Sequence, residues 1–154
     1  MGDRTSVGLT VRLADKQKVE ALINGDFHGG DCVNDGESPG SEQGIVMWYF
    51  HDVNYSQLEF ESRLQELSIP YDKGWDAGDE YPAGEEIFRI KADGEPELKE
   101  FSEGMRGMIS LDDVKSALAD GTLPAYLAQA EKEASHISWE EQEIILTNLK
   151  AKKR

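Results

Sequence analysis

Two acidic stretches of the chain hold most of the side chains that could do chemistry. In Asp26 to Gln43 (DFHGGDCVNDGESPGSEQ), Asp31, Asp35, Gly36 and Glu42 stand at positions 1, 5, 6 and 12 of a calcium-binding helix-loop-helix pattern. The match fails where an oxygen ligand belongs, at Val33, and again after Glu42, where a strand-like run replaces the exiting helix. His28 and Cys32 in the same stretch, with His51 and Asp52 further on, are donor types that suit zinc. The chain nevertheless has one Cys and three His and no CxxC or HExxH spacing. No metal or other cofactor is expected.

The second stretch, Ile69 to Glu86 (IPYDKGWDAGDEYPAGEE), reads as a loop in which Tyr71, Trp75 and Tyr81 are threaded among Asp72, Asp76, Asp79 and Glu80. Aromatic rings bury much area for little lost entropy, so exposed rings set among carboxylates suit a protein-binding surface. These seven residues are the candidate partner-binding set. The competing reading folds the rings back as a lid on the core. Gly74, Gly78 and Gly84 do not make a phosphate loop, because neither GxxxxGK[ST] nor GxGxxG is present and the carboxylates would repel phosphate.

Catalytic patterns are missing: there is no GxSxG elbow and no cysteine-histidine signature, and acids are too numerous for any pair to stand out. A non-enzymatic role is expected. The formal net charge is −15. Both ends are net basic (Arg4, Arg12, Lys16 and Lys18 at one, Lys150, Lys152, Lys153 and Arg154 at the other), so the negative charge falls entirely between them. Such a field repels nucleic acid and anionic membrane and steers association toward basic partners. The expectation is an acidic protein-binding protein that docks on the basic surface of a nucleic-acid-handling protein or nuclease, as inhibitors and immunity-type proteins of phages and plasmids do. The alternatives are an assembly subunit forming a homodimer or higher homo-oligomer, with the charge serving solubility alone, and a small metal-binding enzyme.

The elements that must carry these residues follow from periodicity. Thr5 to Leu13 alternates as a strand, and Val19, Leu22 and Ile23 recur at helical spacing after Asp15. Ile45 to Phe50 is an unbroken apolar run, expected as a central strand buried on both faces. Gln57 to Leu67 reads as a helix with Phe60, Leu64 and Leu67 on one side, and Glu86 to Lys91 as a third strand. From Asp93 the pattern reads as helical: a short segment with Leu98 and Phe101, a helix capped by Ser110, one entered at Pro124, and one opened by a capping box of Ser138 and Glu141. The expected fold is α+β, a small three-stranded sheet (5–13, 45–53, 86–91) with two helices packed on it, approaching a ferredoxin-like layer, and a helical C-terminal half. All 154 residues are read as a single domain, 1–91 carrying the strands and 92–154 the helices packed against them. The lone cysteine and the lack of an apolar leader-like stretch at the start predict a reducing, cytoplasmic setting.

Overall fold

The computed structural model describes residues 3–26 and 44–153 with their side chains and residues 32–37 as backbone. Among these, six strands pair antiparallel in one sheet: β1 (Arg4–Arg12), β2 (Cys32–Glu37), β3 (Ile45–Asn54), β4 (Tyr71–Trp75), β5 (Gly84–Ile90) and β6 (Pro96–Ser102). Their spatial order is β2-β3-β1-β4-β5-β6. The helices are α1 (Lys16–Asp26), the short α2 (Glu61–Glu66), α3 (Leu111–Ala119), α4 (Leu123–Ala134) and α5 (Trp139–Lys152). None is long and apolar enough to cross a membrane among the described residues.

The inner face of the sheet is made by every second residue. Val7, Leu9 and Val11 of β1 lie beside Val46, Trp48 and Phe50 of β3, with Tyr71 of β4 and Phe88 and Ile90 of β5 continuing the row. Val19 from α1 and Leu58, Phe60, Leu64 and Ile69 around α2 cover it. Each such side chain contributes roughly 1.5–3 kcal/mol when fully buried. Leu146 and Leu149 of α5 close one end.

That end shows how the last helix is fastened. The pairing of β4 with β5 stops at Tyr71 and Phe88, so Ile90 has no β4 partner. Gln142, fully buried, fills the rung: its Oε1 accepts from the Ile90 N–H at 2.9 Å and its Nε2 donates to the Ile90 carbonyl at 3.1 Å. The N-terminus of α5 carries the complete Ser138 and Glu141 capping box, and Ser110 accepts from the Asp113 N–H at the start of α3.

Several expectations are corrected. The sheet has six strands rather than three; the ferredoxin-like arrangement is carried by β1-α1-β2-β3-α2-β4, whose strands lie in the order β2-β3-β1-β4 with every neighbour antiparallel, and β5 and β6 extend it at the β4 side. Ile69 to Glu86 is not one loop, because Tyr71–Trp75 is an interior strand. The segment around Leu98 and Phe101 is the edge strand β6 instead of a helical turn. The stretch 26–43 starts on the last residue of α1 and holds β2, while 27–31, 38–43 and the side chains of Cys32 and Asp35, and with them His28, Asp31 and Glu42, lie outside the described residues. β3 is buried on one face only, with Met47 half-buried and Tyr49 exposed on the other. The helix expected over 57–67 begins only at Glu61, since Tyr55 and Ser56 take positive φ in a turn before it.

Candidate functional site

The two faces of the sheet carry different chemistry. On the inner face the Lys73 ammonium is 2.9 Å from Glu61 and 3.6 Å from Glu86. The Tyr71 hydroxyl donates to Glu86 at 2.5 Å and accepts from the Gln65 amide at 2.9 Å. Burial holds the Tyr71 hydroxyl well above the usual phenol range, with the hydrogen bond to Glu86 adding to it. Burial likewise raises the Glu61 carboxyl, against the pull of Lys73. The cluster lies under α2 and ties β4 and β5 to that helix.

The outer face is only half covered. Over β5 and β6, Arg89 is 1% exposed and lies flat on Trp139 of α5, its guanidinium carbon 4.0 Å from the ring centroid. It donates to the carbonyls of Tyr71, Phe88 and Ile137 and forms an ion pair with Asp72 at 2.7 Å. Desolvation pushes Asp72 up and Arg89 down, and each opposes the other's shift through their mutual attraction. Arg106 repeats the arrangement further along: it sits 5.0 Å from the Phe101 ring centroid and 3.2 Å from the Glu85 carboxylate. His136, a hydrogen-bond neighbour of Arg106, is lowered by burial and by the nearby Arg106 and Arg89 charges.

Beside these arginines the sheet is open, and a groove of about 530 Å³ runs across it. The registers place Tyr49, Gly8, Gly74, Glu85 and Phe101 in one cross-strand row, and Met47, Thr10, Asp72, Ile87 and Lys99 in the next. Two adjacent strands therefore present glycine at the same level, leaving a strip roughly 10 Å wide without side chains of its own. The Tyr49 ring leans over one of them: a Cβ added at Gly8 would meet it at 3.3 Å, whereas one at Gly74 would meet nothing closer than 3.9 Å. Gly74 is the open floor. Asp76 and Glu103 line the groove, both exposed, and neither forms an ion pair among the described residues.

The candidate residues read from the sequence divide accordingly. Asp72, Trp75 and Asp76 line the groove. Tyr71 is fully buried on the inner face and is available to no partner. Asp79, Glu80 and Tyr81 sit in the β4–β5 connection beside the N-terminus, with the Glu80 N–H donating to Asp3 at 2.9 Å and the Tyr81 ring 6.4 Å from Tyr55. Trp75 is half-buried, its indole N–H donating to the Pro82 carbonyl at 3.1 Å. Gly8, Met47, Tyr49, Glu85, Glu103 and Arg106 went unread, although a glycine inside the alternating run of β1 is a signal of close approach to the backbone.

His51 Nδ1 is 3.4 Å from the Ser6 hydroxyl, both near the groove, but no carboxylate orients the ring from its other nitrogen among the described residues. Among those residues no three His, Cys, Asp or Glu converge as metal ligands. Comparison of the chain with protein-family models, with curated proteins and with solved structures finds no match in any of the three.

Proposed function

We propose that this is a binding protein that captures a basic protein partner, of the kind that handles nucleic acid, through the open outer face of the sheet and the acidic connection beside it. The observation that carries the reading is a groove whose free walls are carboxylates: Asp76 and Glu103 open onto solvent unpaired among the described residues, with Asp79 and Glu80 exposed next to them. Exposed unpaired acids on a chain of net charge −15 speed encounter with cationic surfaces and occupy the places that phosphates would take on such a partner. In this reading the protein is an inhibitor or immunity-type protein that competes with nucleic acid for its partner.

The test is affinity capture from host lysate by the tagged chain and by a variant carrying Asp76→Lys, Asp79→Lys and Glu80→Lys. A basic nucleic-acid-binding protein should be retained by the wild type at low salt, released at high salt and by added DNA, and missed by the variant. Retention of the same proteins by both would overturn the reading.

Self-assembly is a second reading with its own observation. Met105, Met108, Ile109, Leu111, Leu118 and Leu127 are all exposed, with Met108, Leu111 and Leu118 at 64%, 67% and 65%. Large exposed apolar side chains gathered in one stretch of chain, with Met105, Met108 and Ile109 around one pocket, suit an interface between proteins. Light scattering decides it: a dimer that resists high salt and falls apart with Leu111→Glu and Leu118→Glu favours assembly, and a monomer at all salts removes it.

A further inference from the structure

The outer face of the sheet already shows how it holds a guanidinium. Arg89 lies between the Trp139 ring and the Asp72 carboxylate, and Arg106 between the Phe101 ring and the Glu85 carboxylate. Each site combines a flat π surface with an acid, the two features that favour arginine over lysine. The groove offers the same pair of features for a third time and leaves them unfilled by the chain itself. Tyr49 is 39% exposed, with its ring over Gly8, and Asp76 and Glu103 line the same cavity without an ion pair among the described residues, its bases Lys73 and Arg106 being held by Glu61, Glu86 and Glu85.

We propose that the groove is an arginine-binding site, which receives a guanidinium side chain from an extended basic segment of the partner. The claim rests on the function proposed above and names the chemistry by which that site recognises its partner. The bare floor at Gly74 lets the incoming chain lie close to the sheet, Tyr49 and Met47 flank it, and Asp76 and Glu103 take the fork of N–H donors. Arg106 does not block the site, because Glu85 and the Ala134 carbonyl, to which its Nε donates at 3.0 Å, hold it in place. A cavity of about 530 Å³ has room for the side chain together with flanking backbone.

The probe is a capped Gly-Arg-Gly peptide, with its lysine and citrulline counterparts, titrated into isotope-labelled protein and followed by amide chemical shifts. The arginine peptide should shift Gly8, Gly74 and their strand neighbours at saturable concentration, the lysine peptide should bind about tenfold more weakly, and the neutral citrulline peptide should not bind. Gly74→Val, which brings in a residue that strands favour and whose Cβ would meet nothing closer than 3.9 Å, should abolish the shifts while the spectrum stays dispersed. Asp76→Asn with Glu103→Gln should weaken binding about tenfold. Shifts scattered over the whole acidic surface, equal response to arginine and lysine, or unchanged binding by folded Gly74→Val would each overturn the site. Partner capture that survives Gly74→Val but not the Asp76, Asp79 and Glu80 reversals would reject the groove and keep the binding function. Peptide binding with no basic protein captured would do the reverse.

Discussion

Arg89 is the residue on which the most structure depends. It is only 1% exposed, donates to three carbonyls from β4, β5 and the approach to α5, and balances Asp72 across the strand pair. Removing it strands an acid and three acceptors in poorly solvated surroundings, where the acid's charge keeps only the weaker support of Trp139 and His136. Arg89→Ala should therefore destabilise the protein by about 3 kcal/mol, the lower end of the range for breaking a buried pair, because Asp72 keeps some contact with water. The double change Arg89→Met with Asp72→Asn should recover part of that loss in urea melts, since no lone charge is left. If the double variant is less stable than Arg89→Ala, the ion pair is a net source of stability and the desolvation argument is wrong. Gly84 is constrained by shape rather than charge. A Cβ there would fall 2.6 Å from the Trp75 ring and 2.8 Å from the Phe101 carbonyl, so the two ends of the β4–β5 hairpin close only over glycine.

Helices and strands differ in how far local residues announce them. The caps at Ser110 and Ser138 are satisfied within four residues of chain, and both were legible in the sequence because the physics is local. β1 was legible for a similar reason, its alternation of Val7, Leu9 and Val11 needing no partner to be seen. β4 was hidden. Its sequence YDKGW places an acid and a base in the middle of the sheet, tolerable only because Asp72 meets Arg89, and Lys73 meets Glu61 and Glu86, all distant along the chain. β6 was hidden as an edge strand whose outward charges broke the apolar pattern. The groove was illegible for a stronger reason: its rows exist only once the registers of four strands are set. The acidic, glycine-spaced run around Asp76 marks it as exposed, while the apolar run around Tyr49 points that ring to the core. At this scale α3 and α4 are the weakest part. No residue of α4 is buried and only Ala117 of α3 is. Amide exchange should accordingly be fastest among the helices across Leu123–Ala134, through local opening insensitive to denaturant, and slowest in β1, β3 and β4. Equal protection of α4 and β1 would mean that something covers the hairpin in solution.

Two carboxyl groups make the whole molecule sensitive to pH in an uncommon direction. Glu61 and Asp72 are both raised by burial above their ordinary values of 4.5 and 3.8. The native state therefore binds protons more readily than the unfolded chain between the ordinary and the raised values. Their contribution to stability is full below the ordinary values and is lost as pH rises through the raised ones. Glu61→Gln removes one of the two, so its stability should fall less steeply than the wild type's as pH rises above the ordinary carboxylate value, read from urea midpoints. Parallel slopes for the two proteins would show that Glu61 does not titrate in that window.

The order of strands also sets a timetable. β1 is synthesised before both strands that flank it, β3 on one side and β4 on the other, so its last neighbour ends at Trp75. At roughly 5–20 residues per second, synthesis from β1 to the end of β4 takes several seconds, and until then β1 has at most β3 beside it. The nascent chain thus carries its future centre as a strand open along its β4 side, and slowing translation between β3 and β4 should lengthen the interval in which a chaperone can hold it.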